Sequence, residues 1–470
     1  MGLITGHVKD EILDKSKPLF PATPRSAVPG SVWPAVPNGD DALMLALLYQ
    51  FEQSEWWSTA EIQAAQMSQV RQLLRQALTH SPFHQKRLAQ WSLPAAMTFK
   101  DFQTLPVLVR TDIRDHMDEI LCRQIPKAHY PLSQIQTTGS TGRPVVMRKT
   151  AITRALIKAG YQRSHVWHRR DLHHKTAAIR ALNSKAQQES AAGKEAYWSA
   201  GYNTGPLVSF NVTRPADEQM AWLENENPDY LLTFASNLLG LIRAFPDAAQ
   251  RLPNLKGITN MGETLLPETR EACAENWAIP LTDIYSTQEV GIVAIQCPEH
   301  SHYHLQAEAL LVEILDENDR AVAPGEIGRV VITDLHNFAM PIIRYDIGDY
   351  AEAGELCDCG RGLPVLNQIM GRTRHLFTLP DGRSVWPSLG SRLFARFPEI
   401  RQRQLIQQKD LSVDIRLVVS TPLTPVDEDA LKTGLEKIMG HPLTLNIRYV
   451  DEIPRAPGGK FEDFISLVEA

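Results

Sequence analysis

Long apolar runs are missing from this 470-residue chain. The longest, ALMLALLYQF at Ala42–Phe51, falls well short of the ~20 residues a membrane-spanning helix needs, so no span is expected. The N-terminal MGLITGHVKDEILDKSK carries charges where a signal peptide has its apolar centre, which makes a cytoplasmic location the expectation. An excess of positive charge is lacking too. With 48 basic and 54 acidic residues the net charge is −6, and nothing global draws the chain to nucleic acid. Cysteine is scarce: five residues, an odd number, argue for reduced thiols rather than a disulfide framework. There is no G-x-S-x-G elbow and no H-E-x-x-H, which removes two common hydrolase signatures. Internal repeats are also absent.

What is present is ordinary in bulk and uneven in distribution. A hydrophobic fraction of 43% and a charged fraction of 22% describe a globular chain long enough for a large domain and a smaller one. Six prolines between Lys17 and Asn38 exclude a helix there and predict an extended arm over residues 1–39. From Asp40 to about Leu93 apolar residues recur at helical spacing, and LPVLVRTDIRDHMDEIL offers Thr111 as the N-cap of a further helix. Helical patterns then alternate with short apolar runs (PLVSFNV, DYLLTF, LKGITNM, PLTDIYS), the mark of an α/β domain with mixed sheets covered by helices. The stretch LLVEILDENDRAVAPGEIGRVVITDL reads as a hairpin. A small C-terminal α+β unit follows, with strands near DIRLVVS and LTLNIRYV around the helix DEDALKTGLEKIM. The expected division is a large domain over 40–372 and a small one over 373–470.

One loop stands apart. QTTGSTGRPVVM, Gln136–Met147, places Gly and Ser/Thr where successive N–H groups can converge on an anion and hydroxyls can add donors. It is not a Walker loop, because the lysine is missing and Pro144 leads into strand spacing; alone it also reads as a hairpin turn.

Taken with later segments, TTGSTGRP resembles the phosphate-binding signature of the adenylate-forming enzymes, and more narrowly the phenylacetate-CoA ligase group. SPFHQKRL, LPVLVRTDIR, NMGETL, YSTQE, MPIIRYDIGD, GRTRHLF and IPRAPGGKFEDFIS follow in the family's order over most of the chain. The resemblance implies an ATP-dependent adenylation of a small-molecule carboxylic acid, aromatic or arylacetic, followed by transfer to CoA. Loading of a carrier protein or amide formation is the alternative, and a degenerate nucleotide-binding sensor or scaffold the second.

By that resemblance Thr137, Thr138, Gly139, Ser140, Thr141 and Gly142 cradle the β and γ phosphates. Gly262 and Glu263 lie beside the adenine and the acyl pocket, Tyr285 against the adenine ring, and Glu289 on Mg²⁺, a hard cation that takes carboxylate ligands. Asp349 accepts the ribose hydroxyls, Arg372 reaches the nucleotide, and Lys460 is the adenylation lysine carried on a mobile small domain. Four positions depart from the pattern, one of them Asp346 in place of a basic residue. Gln288 replaces a Thr or Ser, with Thr287 as a substitute; Ile347 replaces a Thr; and Arg374 stands at the hinge in place of Asp or Lys. The run HVWHRRDLHH, His165–His174, reads as a polar helix face bordering the acyl pocket. A homodimer is compatible with the family.

The remaining cysteines form a soft-ligand set. Cys297 with His300, His302 and His304 in CPEHSHYH, and Cys357 with Cys359 in CDCGRG, suit a tetrahedral, structural Zn²⁺. Alignment on HLQAEALLVEI makes His304 the preferred third ligand and His302 the next. Cys122 and Cys273, in apolar helical contexts, read as small buried hydrophobes.

Overall fold

The computed structural model describes residues 23–136, 145–182, 192–372, 376–386, 391–394, 396–456 and 458–468. The phosphate-loop residues 137–142 and Arg374 lie outside them.

Residues 23–38, with four of the six prolines, form no helix, and residues 1–22 of the expected arm lie outside the described residues; α1 (Gly39–Ser54) begins where the Asn38 side chain accepts the Asp41 N–H at 2.9 Å. A capping box of Ser58 and Glu61 opens α2 (Thr59–His80). The helix expected from Thr111 starts two residues earlier, with Val109 at the N-cap. The Asp112 carboxylate accepts the Val109 N–H at 3.0 Å, so a residue with no capping side chain still has its amide satisfied. That helix, Arg110–Asp115, is then interrupted at His116 rather than running on through Ile120.

A short antiparallel pair, β1 (Ser133–Gln136) and β2 (Val146–Lys149), precedes α3 (Ala151–Trp167). The centre of the molecule is one twelve-stranded mixed sheet. Its first half comprises β3 (Thr176–Arg180), β4 (Ala192–Glu195), β5 (Leu207–Asn211), β6 (Tyr230–Thr233), β7 (Gly257–Met261) and β8 (Leu281–Thr287). The order β5-β3-β6-β7-β8 is parallel throughout, with β4 antiparallel on the edge. The second half is antiparallel: β9 (Gly291–Gln296), β10 (Tyr303–Leu305), β11 (Leu310–Leu315), β12 (Ile327–Asp334), β13 (Tyr345–Ala353) and β14 (Val365–Arg372). The expected hairpin is β11 with β12, in register Leu310 to Asp334.

Helices cover this sheet for the reason the apolar periodicity gives. Met44, Leu48 and Phe51 of α1 meet Leu156 and Trp167 of α3 over Ile284, Ile292 and Ile295. On the parallel half, α4 (Ala216–Glu226) and α5 (Ala235–Ala244) bury Met220, Leu223, Leu238 and Leu241 against Val208, Leu231 and Ile258. Burying one such side chain contributes roughly 1.5–3 kcal/mol.

The C-terminal part has its own core. A two-stranded piece, β15 (Phe377–Thr378) with β16 (Ser384–Val385), precedes a four-stranded sheet. That sheet contains β17 (Ile400–Gln407), β18 (Val413–Val419), β19 (Leu445–Tyr449) and β20 (Phe464–Ser466), ordered β19-β18-β17-β20. Across it lies α6 (Pro425–Met439), whose Leu431 and Leu435 pack with Leu405, Ile415 and Phe464.

Candidate active site

Parallel strands deliver their carboxyl ends to one edge of the sheet, and in open α/β sheets that edge is where ligands bind. There β7 ends at Met261, and Gly262 follows with φ +96°, a conformation that favours glycine. A Cβ at Gly262 would lie 3.2 Å from the Phe234 ring and 3.6 Å from Lys460 Cε. The lysine from the C-terminal part is therefore seated over the end of β7.

A set of contacts holds it there. Glu263 accepts the Phe461 N–H on Oε1 at 2.6 Å and the Ser236 N–H on Oε2 at 2.9 Å. Arg455 donates to Ser236 Oγ at 2.8 Å and to the Gly459 carbonyl at 3.1 Å, and lies 3.7 Å from Glu263. Gly459, φ +79°, presses so close that a Cβ would come within 2.8 Å of Val212 Cγ1.

The remaining charged groups arrive from the β8–β9 turn and from β13 and β14. Glu289 sits in that turn rather than on a helix, 4% exposed, with Arg110 Nη1 at 3.3 Å. In the antiparallel register Asp349 faces Arg372, whose Nε is 3.5 Å from Asp349 Oδ1, and the Tyr285 hydroxyl donates to Asp349 Oδ2 at 2.6 Å. Burial raises the Asp349 carboxyl above the ordinary aspartate range, and Arg372 and the Tyr285 hydrogen bond oppose that shift. Burial, then Arg372, holds the Lys460 ammonium below the usual lysine value, while Asp349, Glu263 and Glu289 pull it back up. Five groups expected at a nucleotide site, Gly262, Glu263, Glu289, Asp349 and Arg372, thus share one electrostatic neighbourhood with Lys460.

Not every expected residue joins them. Gln288 is exposed, and the Thr287 hydroxyl accepts the Val290 N–H at 3.3 Å, which stabilises the turn itself. Tyr285 is spent on Asp349 through its hydroxyl. Ile347 is 7% exposed in the core beneath. The His165–His174 run is not one polar helix face: the helix ends at Trp167 and His173 is exposed beyond it, while the His165 ring meets Trp198 edge-on with centroids 4.6 Å apart and Arg170 Nη1 is 3.0 Å from His165 Nδ1. Burial and then Arg170 hold His165 well below its usual pKa and His168 at about 3, so both are neutral.

Sequence reasoning missed Arg110 and Arg455, and held Phe234 only as one of the residues of TFASNLLGLIRAF, Thr233–Phe245, expected to line the acyl pocket. Arg110 lay inside LPVLVRTDIR, but only the fold shows that this helix start faces Glu289. Lys149, 1% exposed at the end of β2, was missed as well. Burial lowers its pKa, with Asp334 and Glu289 opposing.

A second cluster lies away from this edge. Cys297, His304, Cys357 and Cys359 bring their ligand atoms within 4.8 Å of one another. Cys297 Sγ is 3.9 Å from Cys357 Sγ, and Cys359 Sγ is 3.4 Å from His304 Nε2. Tetrahedral zinc with Zn–S of ~2.3 Å and Zn–N of ~2.0 Å sets those separations at about 3.8 and 3.5 Å, so the donor set fits the ion. His304 Nδ1 is 3.4 Å from the Leu363 carbonyl, the outer contact that orients a metal-binding imidazole. His300 pairs instead with Asp358 at 2.6 Å. No helix among the described residues is long and apolar enough to cross a membrane.

The fold is shared with solved structures of 2-hydroxyisobutyryl-CoA ligase. A model of the CapK C-terminal domain matches residues 377–466. The chain is a homologue of the phenylacetate-coenzyme A ligase of Thermus thermophilus, 21% identical over 467 residues, which covers 90% of this chain and 100% of that protein. It is also similar to solved structures of 2-hydroxyisobutyryl-CoA ligase. In the postadenylation state with an acyl-AMP the TM-score is 0.69 at 17% identity, covering 88% of this chain and 91% of that one. For an open conformation with acyl-AMP and CoA the TM-score is 0.58 at 18% identity, covering 88% and 93%.

Proposed function

We propose that this protein is an AMP-forming acid–thiol ligase that adenylates a carboxylic acid and passes the acyl group to CoA. The observation that carries the reading is the convergence of Lys460 with Asp349, Arg372, Glu263 and Glu289 at the carboxyl edge of the parallel strands. A metabolic hydrolase or a passive scaffold has no need for a lysine from a separate C-terminal core placed over a carboxylate cluster.

In this reading the substrate carboxylate attacks the α-phosphorus of ATP and pyrophosphate leaves. Lys460 and Arg372 offset the charge that gathers on the α-phosphate and leaving oxygen, in a site where burial strengthens both. Asp349 accepts the ribose hydroxyls, the work for which the Tyr285 hydrogen bond orients it. Glu289 would hold Mg²⁺, which supplies charge neutralisation at the phosphates; as a buried carboxylate it is the donor type that ion takes. Residues 137–142 are the phosphate cradle in this proposal. The chain divides near 372–373, with Arg374 at the hinge, and the Cys297/His304/Cys357/Cys359 set holds a structural Zn²⁺ with no open position for chemistry.

An aromatic or arylacetic acid is the proposed substrate class. Support comes from the relative named for phenylacetate, matched over 90% of this chain.

Carboxylate-dependent ATP/pyrophosphate exchange across aryl, arylacetic and aliphatic acids tests the proposal. Exchange with an aryl or arylacetic acid that falls by ~10²-fold or more in Lys460→Ala is the expected result. Exchange with no acid, from folded protein that binds ATP, would instead favour the sensor reading. Exchange without thioester formation from CoA would redirect the second step to a carrier protein or an amine.

A further inference from the structure

Only part of what holds the C-terminal part in place touches the site. A second attachment lies beyond it, centred on Glu268 at the start of a short helix after β7. Its carboxylate is shared. Oε1 accepts from Arg243 of α5, on its own side, and Oε2 accepts from Arg403 Nη2 of β17, on the other side, at 3.1 Å. The Glu268 and Arg403 side chains are 13% and 6% exposed, so this pair is largely out of water. Arg403 also lies over the Phe394 ring, 4.4 Å from its centroid, within the C-terminal core.

We propose that Glu268 and Arg403 are positioning residues, an electrostatic latch that sets how readily Lys460 is seated in the adenylation site. The proposal rests on the ligase reading above and deepens it. The arrangement has a physical logic. Breaking a buried pair is costly chiefly because a charge is left uncompensated. Here separation leaves Glu268 with Arg243, and Arg403 with the Phe394 ring and the buried Asp463 carboxylate of its own part, so both charges retain a partner and the latch is reversible. Arg243 is therefore a competitor: it lowers the grip of Glu268 on Arg403 by sharing the same carboxylate. The hydrogen bonds that join Glu268 to Arg403 and to Arg243 are distinct from those that hold Lys460 over Gly262. In this proposal their effect on chemistry passes through the position of the C-terminal part.

Two half-reactions, measured separately, test this. The first is ATP/pyrophosphate exchange; the second is thioester formation from preformed acyl-adenylate and CoA. Arg403→Gln is expected to lower the maximal exchange rate on the order of tenfold while leaving KM for ATP within about twofold and the second half-reaction undiminished. Arg403→Lys, which keeps the charge, should restore most of the loss. Arg243→Gln should act in the opposite sense, with exchange maintained and the second half-reaction slowed, because the Glu268 carboxylate is then no longer shared with Arg243. A purely structural role cannot produce opposite signs from two arginines on one carboxylate. Equal losses in both half-reactions, or unchanged exchange in Arg403→Gln, would overturn the latch.

A wild-type protein that shows no exchange with any acid would instead overturn the ligase reading. The latch is then judged by small-angle scattering with ATP present. A larger radius of gyration for Arg403→Gln than for wild type supports it, and identical curves refute it.

Discussion

Lys460 carries a positive charge into a place where three carboxylates favour it, while burial and Arg372 oppose it. The balance lowers its pKa from that of a free lysine, about 10.4, and the sign of the consequence follows. If the ammonium form is the active one, exchange falls as pH rises through that lowered value, earlier than an exposed lysine would allow. Arg372→Gln removes a like charge, so it should shift the alkaline limb of the exchange profile to higher pH even though it reduces the height. A limb that stays in place would mean that another group sets it. The neighbouring glycine gives a second residue-scale test. At Gly459 an alanine would meet the positive φ penalty of about 1–2 kcal/mol and a Cβ contact of 2.8 Å with Val212. Gly459→Ala should therefore cut exchange on the order of tenfold or more, with CoA transfer from preformed adenylate less affected.

At the level of elements, the Cys/His cluster joins two loops that the sequence separates by more than fifty residues, and a third element is fastened to them. The Gly362 N–H donates to the Glu55 carbonyl at 2.9 Å, between α1 and α2. Arg361 lies over both Trp56 and Trp167, 4.8 Å from each ring, and pairs with Glu55 at 3.2 Å. If the cluster holds zinc as proposed, removing the ion should loosen this corner rather than the chemistry. Cys357→Ser is expected to lose about one equivalent of zinc by elemental analysis and to lower Tm by several degrees, with exchange at low temperature largely retained. The helices and strands themselves were legible because their signals are local: the apolar periodicity from Asp40 onward and the turn that pairs Leu310–Leu315 with Ile327–Asp334, although the one cap read from the sequence, Thr111, gives way to Val109. The order of strands was not. That β14 lies beside β10, or that β3 separates β5 from β6, is fixed by packing between distant segments and leaves no mark in either one. Glu289, Asp349 and Lys460 could be named from motifs, whereas Arg110 and Arg455 could not, because their relevance exists only once β8, β13 and the C-terminal part meet.

For the molecule as a whole, the question is what fraction of time its two cores are joined, and one amide reports it. The Phe461 N–H donates to Glu263 Oε1 at 2.6 Å only while Lys460 is seated over Gly262. Solvent exchange of that proton therefore follows the docking equilibrium, since a hydrogen bond that breaks with a whole unit is protected by the free energy of that opening. If the proposed ligase reading holds, a non-reactive acyl-adenylate analogue occupies the site beneath the lysine and shifts the population toward the joined state by its differential affinity. Hydrogen–deuterium exchange of the peptide spanning 458–464 is then expected to slow when the analogue is added. Glu263→Gln should abolish much of that slowing, because a neutral amide oxygen is a weaker acceptor than a carboxylate. If the second half-reaction requires the lysine to leave, adding CoA with the analogue should restore faster exchange in this peptide, while the peptide over β17 and β18, buried in the C-terminal core, stays protected. Faster exchange in both peptides together would mean that the C-terminal core itself opens. Unchanged exchange under every condition would mean that the two cores do not part on the time scale of the reaction.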